Sequence, residues 1–165
     1  GYCHIPAHEI DAVAALLANG LVDETGKMRG EKTAIAGDVY LSARDVRQIQ
    51  LAKAAVRAGI DTLLSITGRS CSDIAEVLIA GGFGAYMNAK SACAIGLLPP
   101  ELLGKTRHIG NSAGAGAAMA LCPGSRNALR LIADRCRYTE LSGSSFFTGR
   151  YIDAMMFDEW KEILP

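Results

Sequence analysis

An excess of charge of either sign is missing from this chain: seventeen lysines and arginines face seventeen aspartates and glutamates. That balance gives no positive field of the kind nucleic-acid binding usually needs. Long apolar runs free of charge are missing too, so no segment reads as a membrane span, and the opening residues do not read as a signal peptide. The five cysteines, Cys3, Cys71, Cys93, Cys122 and Cys136, never form a Cys-x-x-Cys pair. Scattered and odd in number, they argue against a disulfide framework and against an iron–sulfur cluster held within this chain. They imply reduced thiols in a cytoplasm. Internal repeats and disordered tracts are also absent. What remains is ordinary globular composition, half hydrophobic and 21% charged, over 165 residues, enough for one domain with a substantial core.

Helical and strand-like patterns alternate along the chain. Ile10, Val13, Ala14, Leu17 and Leu21 recur at helical spacing, with Asn19-Gly20 as the stop. Asp23 to Gly30 is charged and turn-rich and reads as a loop. Lys32 to Leu41 reads as one or two strands interrupted at Gly37-Asp38. Ser42 caps a long helix whose apolar stripe is Val46, Ile49, Val56, Ile60 and Leu63, with Lys53 on the same line. Gly59 is a candidate kink or early end of that helix.

Val77 to Ala80 is apolar, bounded by turn residues and too short for a helix, so it is expected to be a buried strand. Helices are expected from Asn88 to Ile95, after Asn111 to Leu121, from Pro123 to about Cys136, and from Ser145 to Phe157. Thr106–Ile109 and Tyr138–Leu141 read as strands. This alternation predicts an α/β domain, a mixed sheet flanked by helices.

The sharpest local feature is the run of Val77–Ala80 into Gly81-Gly82-Phe83-Gly84. In open α/β sheets, ligands sit beyond the carboxyl ends of strands, and glycine there lets backbone approach a ligand without a Cβ in the way. A tight turn needing glycine for geometry alone reads equally well. Gly110-Asn111-Ser112-Ala113-Gly114-Ala115-Gly116 is the second. Asn111 suits a helix N-cap, while glycine costs about 1 kcal/mol against alanine inside a helix, so Gly114 and Gly116 need a reason. Close packing on a neighbouring helix is favoured, with approach to a phosphate as the other reading.

Lys53 by default extends its ammonium to solvent. If buried it needs an anionic partner, a nucleotide phosphate or a carboxylate, with Gln50 projecting beside it. Cys3, His4 and His8 form a weak metal-ligand grouping without a fourth partner. His108 sits at a strand end with no hydroxyl or carboxylate placed beside it. Arg126, Arg130 and Arg137 read as a solvated face, Arg130 pairing with Asp134.

Longer strings carry a resemblance. Leu41-Ser42-Ala43-Arg44-Asp45-Val46-Arg47-Gln48-Ile49-Gln50-Leu51-Ala52-Lys53-Ala54-Ala55, Ile79-Ala80-Gly81-Gly82-Phe83-Gly84-Ala85-Tyr86, Ile95-Gly96-Leu97-Leu98-Pro99 and Gly110 to Ala117 together resemble the reductive activators of corrinoid proteins. In that family an N-terminal ferredoxin-like module precedes an actin-like ATPase of the sugar-kinase, heat-shock and actin superfamily, with a ribonuclease H-like lobe. The resemblance implies a C-terminal lobe, residues 1–165, of a larger protein. Gly1 in place of Met fits such a fragment. It further implies ATP with magnesium as cofactor, an iron–sulfur cluster confined to the N-terminal module, and a corrinoid iron–sulfur or corrinoid methyltransferase protein as partner. The reaction would be ATP-dependent return of Co(II) to Co(I). A homodimer is left open.

Carried over by motif, Gly81, Gly82, Phe83 and Gly84 resemble the adenosine turn, and Asn111 to Gly116 resembles the second connecting helix between lobes. Gln50 and Lys53 have the spacing of an acid–lysine pair that touches adenosine, with Gln where relatives have the acid. The acidic phosphate motifs are absent from this chain. His4-Ile5-Pro6-Ala7-His8 stands where relatives often have a Gly-Ser-Gly turn. Catalytic residues are therefore not assignable, and the fragment is expected to be inactive alone. The competing readings are a phosphotransferase of the acetate or sugar kinase type and a non-catalytic dimerisation or docking module.

Overall fold

The computed structural model describes residues 7–84, 86–157 and 163. Helix α1, Ala7–Ala18, buries Ile10, Val13, Ala14 and Leu17, the expected stripe. Gly20, at φ +63°, turns the chain out of it. In the following loop the Asp23 carboxylate accepts from the Thr25 hydroxyl at 2.6 Å and from the N–H groups of Thr25 and Lys27 at 2.9 and 3.0 Å. Those bonds, the Thr25 hydroxyl first, hold the Asp23 carboxyl below its ordinary range.

Strands β1, Lys32–Ala36, and β2, Val39–Ser42, form an antiparallel hairpin around Gly37. Ser42 then opens α2, Ala43–Thr67, with a capping box: its side chain receives the Asp45 N–H while the Asp45 carboxylate receives the Ser42 N–H at 2.9 Å. The helix runs through Gly59 without ending, which corrects the expected break; a Cβ there would stand in ordinary contact, 3.7 Å, with Leu141. Its buried line also differs from the expected stripe. Val46, Ile49, Gln50, Lys53, Ala54, Ala58 and Thr62 face inward, while Val56 and Leu63 are exposed. Small residues at 54 and 58 let the neighbouring segments approach on that line, and Val56 and Leu63 fall outside it.

Strand β3, Val77–Ala80, leads into one helical turn, α3, Gly81–Gly84, and then α4, Ala89–Ala94, capped by Asn88. Strand β4, Thr106–Gly110, pairs parallel to β3. Helices α5, Ser112–Ala120, α6, Ser125–Ala133, and α7, Ser145–Asp153, complete the chain. Strands of both senses are thus present, divided between two small sheets among the described residues.

Three sequence expectations change here. β3 is a strand but is not buried: Leu78 is 49% exposed and β3 has no buried residue. Pro123 lies in a turn ahead of α6, where Cys122 C=O accepts from Ser125 N–H at 3.0 Å, and α6 ends at Ala133. Tyr138–Leu141 is not a strand. Glu140 instead accepts from the Tyr138 hydroxyl and, at 3.0 Å, from the Ser142 N–H, which folds the segment onto itself.

The core gathers α1, α2 and α4 with Val22, Met28, Leu41, Met87, Ile95, Leu97, Leu98 and Phe157. Helix α7 docks on α2 through charge. Arg150 donates to one Asp61 oxygen from Nη2 at 2.7 Å and from Nε at 3.0 Å, and Arg57 takes the other oxygen at 3.2 Å. Helices α5, α6 and α7 contribute no buried residue. No helix among the described residues is long and apolar enough to cross a membrane.

Candidate nucleotide-facing edge

Because β3 and β4 run parallel, their carboxyl ends lie at one sheet edge. The register pairs Ala80 with Gly110, so the turns that follow the two strands stand side by side, about 4.8 Å apart in the pairing direction. Each turn begins with a glycine whose backbone demands it: Gly81 has φ +86° and Gly110 φ +64°. Gly82 needs no such φ, yet a Cβ at Gly81, Gly82 or Gly110 would meet nothing within 4 Å. The edge is therefore open space bounded by backbone. The Phe83 side chain lies outside what is described, although the backbones of Phe83 and Gly84 belong to α3.

Asn111 begins α5 and its side chain accepts from the Gly114 N–H at 2.9 Å. That cap explains Gly114. A Cβ built there would stand 2.7 Å from Asn111 Nδ2 and 3.1 Å from its Cγ. The glycine makes room for its own helix cap, a reason outside the two weighed from sequence; a Cβ at Gly116 would meet nothing within 4 Å. His108 is exposed on β4 opposite Ile79.

Gln50 and Lys53 come together elsewhere, on the buried face of α2. Lys53 is 1% exposed, which corrects the expectation that it reaches solvent. Its ammonium donates to the Met156 carbonyl and lies 4.8 Å from the centroid of the Phe157 ring. Gln50 donates from Nε2 to the carbonyls of Thr25 and Met155, at 2.9 and 3.0 Å. Its amide also fills the space over Gly26, where a Cβ would stand 2.4 Å from it. The pair thus clamps the 23–30 loop and the chain beyond α7 onto α2. A small cavity of about 80 Å³ beside it is lined by Lys53, Arg57, Gly96, Arg150, Asp153, Ala154 and Met156, with no residue of the β3–β4 edge.

Sequence reasoning missed Thr25, Gly26, Asp61, Arg150 and the Met155–Phe157 backbone as partners of this face. The charged Asp61 and Arg150 were visible, but 89 residues separate them. Cys3 and His4 lie outside the described residues, while the His8 ring stands 6.3 Å from that of Tyr86. Cys93 is buried, and burial first, then Glu101, pushes the half-buried Cys71 thiol up and away from thiolate chemistry. Arg130 and Asp134 do not form the expected pair among the described ion pairs.

Over residues 9–164 the sequence matches the family described as the C-terminal domain of RACo, the ASKHA domain. It is 34% identical to the corrinoid activation enzyme RamQ of Eubacterium limosum, across 68% of this chain and 24% of that protein. It is 29% identical to the Co(II) methylated amine-specific corrinoid protein reductase of Methanosarcina barkeri, across 54% of this chain and 17% of that protein. Among solved structures, a reductive activator for corrinoid, iron-sulfur protein superposes with a TM-score of 0.81 at 29% identity, covering 95% of this chain. The chain spans 24% and 17% of the two curated relatives and 29% of the solved one.

Proposed function

The chain belongs to the family of RACo C-terminal ASKHA domains, and from that premise we propose that it is the nucleotide-side lobe of an ATP-driven reductive activator of a corrinoid protein. The observation that carries this reading is the paired edge at Gly81-Gly82 and Gly110-Asn111. Two parallel strands end there together in glycine turns over open space.

The donor set suits a nucleoside. Ile79–Gly84 and His108–Gly114 contain no aspartate or glutamate, so the edge offers backbone amides and the Asn111 amide, not ligands for a divalent cation. Gly81 and Gly82 would supply the backbone wall for the nucleoside, and the start of α5 would bring N–H groups toward negative charge. Magnesium and the terminal phosphate would be held by residues outside this chain. ATP would supply the free energy for a conformational change.

Gln50 and Lys53 act differently in this reading. Their polar ends hold backbone carbonyls of Thr25, Met155 and Met156, so they fix the shape of the lobe and are not free to touch adenosine in this state. The reaction of the whole protein would be transfer of one electron from a reduced iron–sulfur cluster, oxidised in turn, to a Co(II) corrinoid, giving Co(I). The relatives' names support a corrinoid protein as the partner, a corrinoid iron–sulfur protein or a methylated amine-specific one; a cytoplasmic location belongs to the same proposal.

Gly82→Val in the full-length protein provides the test. Because Gly82 has no strained φ and open space at its Cβ, the variant should fold, and a branched side chain should then enter the nucleoside wall. ATP affinity by calorimetry should fall at least tenfold, about 1.4 kcal/mol, with ATP-stimulated Co(II) reduction falling in parallel. Unchanged affinity in a well-folded variant removes this edge from the site. Full ATP affinity without any Co(II) reduction would favour the phosphotransferase alternative.

A further inference from the structure

The nucleotide-facing edge exists only if β3 and β4 keep one register. Their pairing is irregular: Ile79 stands opposite His108 but Ala80 opposite Gly110, so Ile109 is an extra residue in β4, a bulge that brings Gly110 level with Ala80. A slip of one residue would carry Gly110 about 3.3 Å along the strand, away from its place beside Gly81. Burial specifies register strongly only where one face of a strand is covered. Neither strand has a buried residue, and Leu78, Arg107 and His108 are all exposed.

Side chains at the opposite, amino end supply what burial does not. Lys105, half-buried, donates from Nζ to the carbonyls of Cys71 and Ser72, at 2.9 and 3.4 Å, and both carbonyls belong to the turn Cys71–Asp73 ahead of β3. Arg107 donates to both oxygens of Glu76, the residue before β3, from Nε at 3.3 Å and from Nη2 at 3.2 Å. On the β4 side the turn Pro100–Lys105 buries Leu102, and the Thr106 hydroxyl donates to the Leu102 carbonyl at 3.0 Å. The Lys105 and Arg107 bonds cross from this anchored side to the β3 side, so a slip of one residue breaks both.

We propose that Lys105 and Arg107 are positioning residues for nucleotide binding. They fix β3 against β4 at the amino end and so set Gly81 and Gly110 side by side at the carboxyl end. The proposal rests on the nucleotide-edge reading given above. Each residue acts by keeping the binding-competent register populated, and apparent affinity falls with whatever fraction of molecules leaves it. Lys105 should weigh more. Its shorter bond is half-buried and charge-assisted, whereas Arg107 and Glu76 are each more than half exposed.

Hydrogen exchange at the amides of 77–81 and 106–110, and ATP affinity by calorimetry, would be measured in the full-length protein. In Lys105→Met, exchange there should quicken at least about tenfold and ATP affinity should fall at least about threefold. The ATP concentration for half-maximal Co(II) reduction should rise in proportion, with a smaller change in rate at saturating ATP, because ATP itself selects the right register. Arg107→Gln should act in the same direction more weakly, and it carries the test if Lys105→Met does not fold. Exchanging the charges, Glu76→Arg with Arg107→Glu, should bring both measurements back towards the parent's, which a general loss of stability would not do.

Unchanged exchange in both single variants overturns the proposal, and so does faster exchange with parental ATP affinity. Gly82→Val keeps this outcome apart from the edge reading. If Gly82→Val weakens ATP binding and Lys105→Met does not, only the positioning role falls; if neither weakens it, the nucleotide-edge reading falls as well.

Discussion

Gly114→Ala offers a sharp test of the local physics at the start of α5. On helix propensity alone, alanine should stabilise this helix by about 1 kcal/mol. The structure predicts otherwise. The new Cβ would stand 2.7 Å from Asn111 Nδ2 and 3.2 Å from Oδ1, so the Asn111 side chain must leave the position from which it accepts the Gly114 N–H at 2.9 Å. Losing an N-cap costs about 1 kcal/mol, within a range of roughly 0.5–2. The two terms offset, and the single variant should sit within about 0.5 kcal/mol of the parent or below it.

The same substitution should behave differently once the cap is already gone. In an Asn111→Gly background nothing opposes the new methyl, and Gly114→Ala should now stabilise by about 0.5–1 kcal/mol. For a chain of this size that is a rise of about 1–4 °C in Tm, readable by circular dichroism and by urea denaturation of all four proteins in the cycle. A full gain of about 1 kcal/mol in the parent background, with additivity across the cycle, would refute the claim that Asn111 is the reason for Gly114.

Three further outcomes are expected. Gly81→Ala should cost about 1–2 kcal/mol, because the strain lies wholly in a φ of +86° with no contact for the methyl, while Gly82→Ala should be nearly neutral; equal effects at the two positions would contradict the geometry. Lys53→Met should leave global stability within about 1 kcal/mol, since relief of the buried ammonium offsets the lost bond, yet hydrogen exchange at 155–157 should accelerate; unchanged exchange would mean that the clamp does not hold the segment.

The Glu9 carboxyl is pushed above its ordinary range, by burial first and by the Asp45 charge second. Its ionised form therefore opposes folding, and this contribution disappears as pH falls through the raised carboxyl range. Glu9→Gln should accordingly be more stable than the parent at neutral pH, with the difference vanishing in acid; a gap that persists in acid denies the charge its role.

Much of the molecule could be read from local chemistry. Ser42 with Asp45, Asn88 and Asn111 announce helix starts because capping is a contact between residues three apart. Gly20, Gly37, Gly68 and Gly81 mark the turns because φ above zero is a property of one residue. The four strings around Gln50, Gly82, Leu97 and Gly114 carried the family as well. The Tyr138–Leu141 segment failed for a related reason: strand-like residues make a strand only with a partner, and Glu140 found its partners two residues away.

What the chain alone could not decide was which long side chains turn inward. Lys53 lies in a helix where solvent is within reach of a flexible stem, and partners such as the Met156 carbonyl and the Phe157 ring, over a hundred residues later, make burial favourable. Gln50 depends in the same way on Thr25 and Met155. The side-by-side placement of Gly81 and Gly110 likewise follows from the parallel register of β3 on β4, a pairing between segments about thirty residues apart. Backbone conformation is set by neighbours in sequence, whereas burial and juxtaposition are set by whatever the folded chain brings alongside.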